Sequence, residues 1–175
     1  MKKILVVLML VLLSASAPAE PVLAAGTVEV CFTPGEDCAG KIVREIDAAR
    51  SQILVQAYSF TSKPIAKALL DAHKRGVKVE AVLDKSQRKE RYTSATFLNN
   101  AGILVFIDDR HAIAHNKIMI IDRRTVFTGS FNFTKAAQER NAENLLIIKR
   151  DKALVEKYLA NYAVHREHSE PYAVR

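Results

Sequence analysis

At 175 residues the chain is long enough for one sizeable hydrophobic core and reads as a single domain behind an N-terminal leader. Its 26 basic against 19 acidic side chains give a formal charge of +7, which suits nucleic acid and anionic lipid equally and is also common in proteins that bind neither. With only two cysteines, a zinc site built from cysteine alone is excluded.

Lys2 and Lys3 precede a ten-residue apolar run, Ile4 to Leu13, and small residues follow. This is the pattern of a secretory signal peptide, too short to span a bilayer as a helix. Cleavage is expected after Ala24 or Ala25, with Ala19 as the alternative. Residues 1–25 are then leader and residues 26–175 the working domain; losing Lys2, Lys3 and Glu20 takes the formal charge from +7 to +6. The domain is expected to be exported, to the periplasm or outside the cell, without stable membrane association. In an oxidising compartment Cys31 and Cys38 are candidates for a disulfide. Its eight-residue loop would contribute about 2.5 kcal/mol on the chain-entropy account. Two unpaired thiols are the alternative.

From Gly26 onward strands and helices alternate. Val28, Val30 and Phe32 alternate as a first strand, and Thr33-Pro34-Gly35 turns the chain. Ile42, Ile46, Ala49 and Ile53 follow helical spacing, and Ile53 to Tyr58 reads as a buried strand. Ser62 and Pro64 open a helix with Ile65, Leu69 and Ala72 on its apolar side, and Gly76 ends it. Val77, Val79, Ala81 and Leu83 alternate as the next strand. Residues 85–100 are polar and basic; Lys85, Arg88, Lys89, Arg91 and Tyr92 suit either a phosphate-tracking strip or a solvated helix face. A strand from Ile103 to Ile107 and a loop through Asp108-Asp109-Arg110 follow. Two short strands come next, then a short helix from about Thr134 and an apolar strand from Leu145 to Ile148. Val155, Tyr158, Leu159 and Tyr162 stripe a final helix, and a polar tail ends the chain. Strands apolar on both faces, alternating with helices, predict an α/β fold: a sheet flanked by helices on both faces.

The two short strands, Ile118 to Ile121 and Thr125 to Thr128, flank the polar break Asp122-Arg123-Arg124 and predict a hairpin, which makes the sheet mixed. If Arg123-Arg124 is a two-residue loop, Lys117 faces Ser130 and His115 faces Asn132. These four side chains then share one sheet face and Asp122 points elsewhere. Arg-Arg lacks the Gly or Asn that such a turn prefers. An imidazole, an ammonium, a hydroxyl and a carboxamide on one patch suit a phosphoryl group: donors hold its oxygens while a histidine attacks or moves a proton.

The positions His115, Lys117, Asp122, Gly129, Ser130 and Asn132 follow the spacing His-x-Lys-x4-Asp-x6-Gly-Ser-x-Asn, and this resembles the HKD signature of the phospholipase D superfamily. The predicted order of elements is similar to one module of that superfamily. The resemblance is to its small exported bacterial endonucleases, and implies hydrolysis of DNA, with RNA as a further substrate, through a phosphohistidine and without metal or other cofactor. It also implies a homodimer, since this chain carries one motif where larger members carry two. A phosphohistidine route needs one neutral imidazole to attack and another, protonated, to release the leaving oxygen, and one His115 cannot do both at once. The family places a glutamate just before the next strand to hold the far nitrogen of the histidine; Glu143 occupies that position. The resemblance thus implies a catalytic set of His115, Lys117, Asp122 and Glu143, in which Asp122 has an orienting or structural role, with phosphate binding by Lys117, Ser130 and Asn132.

The remaining histidines read more blandly. His111-x3-His115 lies on a loop and strand with no evident third ligand, so no metal site is expected, and His165 and His168 fall in the polar tail as solvated residues. Two rival functions share the same sequence features. One is a lipid phosphodiesterase or phosphatidyltransferase, disfavoured by the lack of a long apolar insertion. The other is a non-catalytic basic nucleic-acid-binding protein, disfavoured by the intact motif.

Overall fold

The computed structural model describes residues 26–89 and 93–173. The expected leader lies outside the described residues, as do Arg91 and Tyr92 of the basic stretch. The described chain runs β1 (Thr27–Thr33), α1 (Cys38–Ala48), β2 (Gln52–Ala57), α2 (Lys63–Lys74), β3 (Lys78–Asp84), α3 (Ser94–Asn100) and β4 (Leu104–Asp108). It continues β5 (Lys117–Ile121), β6 (Thr125–Gly129), α4 (Lys135–Glu139), β7 (Glu143–Lys149), α5 (Lys152–Glu167) and β8 (Glu170–Pro171). All eight strands join one sheet in the order β1-β7-β6-β5-β2-β3-β4-β8. β2, β3 and β4 are parallel, while the remaining pairings are antiparallel, so the sheet is mixed as expected.

Alternation along the strands feeds two cores. In β2, Ile53, Val55 and Ala57 join Met119 and Ile121 of β5 on the face covered by α1, α2 and α3, which contribute Ile42, Ile46, Ile65, Leu69 and Leu98. Leu54, Ile118, Ile120 and Phe106 point to the other face, where Val155 and Tyr162 of α5 close over them. Helix starts are fixed locally: Asp37, Thr134 and Asp151 each accept a hydrogen bond from a backbone N–H of the first turn. Cys31 and Cys38 are both fully buried and bonded, with Cα atoms 5.8 Å apart, which ties β1 to the start of α1.

Two departures from the sequence reading concern the ends of elements. The hairpin register is shifted by one residue. Arg124 N donates to Ile121 O across a turn whose central residues, Asp122 and Arg123, have φ of 51° and 52°. Ile121 then pairs with Thr125 rather than with Val126, which a two-residue Arg123-Arg124 loop would place opposite it, and Asp122, Arg123 and Arg124 all lie in the loop. The C-terminal segment is also not a solvated tail. β8 pairs Glu170 with Ile107 and Pro171 with Phe106, and the last turn of α5 delivers His165 and His168 to the buried Asp108.

Candidate active site

The parallel strands β2, β3 and β4 end on one edge of the sheet, and β5 begins there, with Lys117 paired to Ala57. His115 therefore sits two residues ahead of β5 on the edge where open α/β sheets expose their loops. Its ring is exposed and packs against Tyr58, the residue that follows β2, with centroids 4.6 Å apart. Tyr58 N donates to Asn116 O at 2.9 Å, so the segment that presents His115 is pinned to the end of β2. Sequence reasoning passed over Tyr58, although an aromatic at the end of an apolar strand run, on the edge that carries the motif, is a usable signal.

Lys117 is only 6% exposed. Its ammonium donates to His115 O at 2.7 Å and lies 5.1 Å from the centre of the Tyr58 ring. Burial lowers its pKa below that of an ordinary lysine, and the nearby Glu143 carboxylate acts in the opposite sense. The result is a buried cation beside an exposed imidazole, which is an arrangement fitted to a phosphate oxygen and a phosphorus atom respectively.

The other wall is set by a bulge after β6. Gly129 has φ of +145°, and a Cβ there would meet Asn144 O at 2.3 Å, so only glycine fits. Ser130 N and Phe131 N both donate to Asn144 O, at 3.1 and 3.2 Å, and Asn144 N donates to Ser130 Oγ at 3.0 Å. Phe131 and Phe133 are fully buried and anchor the segment, so the intervening Asn132 lies on the opposite side of the backbone. The Asn132 carboxamide oxygen is buried without a hydrogen-bond partner, the condition of a group whose partner arrives with a ligand. Continued two residues, the observed register sets Lys117 opposite Gly129 and not Ser130. Ser130 braces the bulge, a local role the direct-opposition argument did not anticipate.

Glu143 is the first residue of β7 and accepts from Asn141 Nδ2 at 3.0 Å; this, and not the His115 ring, is its hydrogen-bond partner in the single chain. Asp122 lies at the far end of β5 from Lys117. Its carboxylate accepts from Arg50 N, Ser51 N, Ser51 Oγ and Gln52 N at 2.8 to 2.9 Å and fastens the turn between α1 and β2. It is off the patch because of its place along the strand, not because of its parity. A groove of about 440 Å³ opens beside the site between His115, Lys117, Gly129 and the α5 residues Lys157, Tyr158 and Asn161.

A family model described as "Cardiolipin synthase, PLD-like domain" matches residues 42–164. A protein named "Phospholipase D" from Rickettsia felis is 48% identical over 135 residues, covering 77% of this chain and 67% of its own length. The human "Mitochondrial cardiolipin hydrolase" is 34% identical over 122 residues, covering 69% of this chain and 48% of its own. Among solved structures, the phospholipase D family member Nuc from Salmonella typhimurium superposes with a TM-score of 0.80 at 36% identity, covering 83% of this chain and 97% of that one. NucT from Helicobacter pylori superposes with a TM-score of 0.77 at 26% identity, covering 83% and 99%.

Proposed function

The chain belongs to the phospholipase D superfamily and is a hydrolase of phosphodiester bonds; from that premise we propose that it cleaves nucleic acid, DNA foremost, at an active site shared between two copies of the chain. The observation that carries this reading is the exposed His115 imidazole packed on Tyr58 beside the buried Lys117 ammonium. The +7 charge of the chain and the lysines at the adjoining groove favour a polyanionic substrate, as does the sequence's resemblance to the small exported endonucleases.

In the proposed reaction His115 of one copy attacks phosphorus, a P–N bond forms, and the P–O bond to the leaving group breaks. The partner subunit's His115, protonated, gives its proton to the leaving oxygen. The same imidazole then takes a proton from water, whose oxygen attacks phosphorus and releases the first His115. Lys117 and Asn132 hold the non-bridging oxygens, and Glu143 steadies the attacking imidazole once the second copy has closed the site. Charge neutralisation comes from Lys117 and imidazolium, so the chemistry calls for no divalent cation. The leader pattern points to export, which secretion of a reporter fused to residues 1–25 would check.

A lipid phosphodiesterase is the second reading, and specific observations favour it. The curated relatives carry lipid-hydrolase names. An apolar hollow of about 1070 Å³ also lies between α2 and α3, lined by Pro64, Leu70 and Phe97, with Lys63 and Lys67 beside them. The test is direct: protein in EDTA, below its melting temperature, is offered plasmid DNA, RNA and phosphatidylcholine or cardiolipin vesicles in parallel. Cleavage of nucleic acid with inert vesicles supports the first reading. Release of phosphatidic acid with intact nucleic acid establishes the second. Nuclease activity that appears only when magnesium is added overturns the mechanism.

A further inference from the structure

The three histidines set aside in the sequence meet at one place. Asp108, the last residue of β4, is fully buried at the same sheet edge as His115. Its Oδ2 lies 2.6 Å from His165 Nδ1, 3.1 Å from His111 Nδ1 and 3.2 Å from His168 Nε2. Its Oδ1 accepts from Arg110 N at 3.2 Å and also lies 3.1 Å from His111 Nδ1, so His111 is shared between the two oxygens while His165 and His168 gather at Oδ2. The imidazoles crowd one another, with centroids 4.8, 5.2 and 5.4 Å apart. The His165 and His168 side chains are 12% and 14% exposed, while His111 on the loop is 45% exposed.

Hydrogen bonding alone does not account for this cluster. His168 Nε2 is buried and has no hydrogen-bond partner despite standing 3.2 Å from the carboxylate, so the nitrogen is near Oδ2 but not directed at it. Three imidazole nitrogens crowd one carboxylate, two of them at Oδ2 alone. They are also four donor atoms within 4.8 Å of one another. A tetrahedral zinc with bonds of about 2.0–2.1 Å has ligand-to-ligand edges of about 3.4 Å. All three edges from Asp108 are already at or inside that length. The four atoms lie within 4.8 Å of one another, so the widest pair would close by about 1.4 Å on binding.

We propose that Asp108, His111, His165 and His168 form a binding site for a zinc-class divalent cation, tying the loop that leads to His115 to the end of α5. Three nitrogens and one oxygen suit a borderline-soft ion and not magnesium or calcium, which prefer all-oxygen sites. Four protein ligands fill a tetrahedral shell and leave no position for substrate, so the ion is structural. Its placement gives it a consequence for the neighbouring site. His111 stands four residues before His115, and the same loop is held by Lys85 Nζ donating to His111 O at 2.9 Å and by Ala114 N donating to Asp84 Oδ2 at 2.7 Å.

The test reads binding and not turnover, so its outcome is independent of the substrate. Chelator-stripped protein is titrated with Zn²⁺ by calorimetry and melted with and without the ion. One equivalent per chain and an upward shift in melting temperature are expected. The double variant His165→Ala, His168→Ala should lose at least about 100-fold in affinity, since even outer-sphere changes cost 10–100-fold at metal sites, and should lose the thermal shift. His115→Ala should keep both. Co²⁺ bound to the wild type should give the intense visible bands of a four-coordinate ion, a readout that does not depend on any variant folding. No binding of Zn²⁺ by the wild type, undiminished binding by the double variant, loss of binding in His115→Ala, or the weak spectrum of six-coordinate cobalt would each overturn the proposal.

Discussion

Removing the carboxylate of Asp122 separates a stability role from a catalytic one within the signature itself. Asp122 follows β5, five residues from Lys117, so about 16 Å of strand lies between them at ~3.3 Å per residue. Its carboxylate accepts four hydrogen bonds, from Arg50 N, Ser51 N, Ser51 Oγ and Gln52 N. Hydrogen bonds to a charged group contribute about 1.5–3 kcal/mol each, but Arg50 and Ser51 are exposed and water recovers most of theirs, leaving a net cost of about 2–4 kcal/mol for Asp122→Ala. Urea unfolding measures that directly, while kcat/KM at a temperature well below melting should stay within about threefold of wild type. The carboxylate also carries a pH signature. Burial alone would raise its pKa, but donation from Gln52, Arg50 and Ser51 outweighs that and holds it below the ordinary range. A group with a depressed folded pKa stabilises above its unfolded pKa of about 3.9 and loses that contribution as pH falls through the folded value. The stability gap between wild type and Asp122→Asn should therefore be full at neutral pH and shrink in acid. A variant that keeps its stability within about 0.5 kcal/mol yet loses turnover would refute the structural reading of Asp122.

Four further expectations follow from other parts of the molecule. Lys117→Ala should lower kcat by about 10²–10³, the usual cost of one preorganised oxyanion donor. Wild-type activity should fall as pH rises through the depressed pKa of Lys117, earlier than for an exposed lysine. Reducing the Cys31–Cys38 bond, which closes a loop of sequence separation 7, should cost about 2.5 kcal/mol in urea unfolding on the chain-entropy account. Nucleic-acid binding should weaken steeply with salt, as phosphate contacts do; a flat response measured by fluorescence anisotropy would turn attention to the lipid reading.

The order of elements was legible because strands buried on both faces, such as Ile118 to Ile121, leave a continuous apolar signature that helices interrupt. β8 was not, since Glu170-Pro171 is two residues long and gains its place only by docking on Phe106 and Ile107. The motif identified His115 and Lys117, but the geometry around them turned on backbone events that side-chain chemistry hides. Left-handed φ at Asp122 and Arg123, with no glycine to mark it, inserted a residue and moved Ser130 out of opposition to Lys117. Gly129 stood in the motif without marking the bulge that its positive φ makes. His165 and His168 were misread as solvated because the apolar stripe of α5 stops at Tyr162, while the helix itself continues to Glu167 and brings them over Asp108. A carboxylate at the end of a buried strand and a His-x-x-His at the end of a helix are each unremarkable in sequence; only the fold makes them neighbours.

The central claim, one His115 from each of two copies at a single site, is tested most directly by mixing chains. Wild type and inactive His115→Ala are unfolded together, refolded in varied ratio and assayed at constant total protein. A heterodimer holds one histidine in the shared site, so either attack or leaving-group protonation fails, and losses within one catalytic unit do not add. Activity should fall with the square of the wild-type fraction. Activity proportional to that fraction, or full activity in a chain that is monomeric at nanomolar dilution, would contradict the account and place a complete site on each chain.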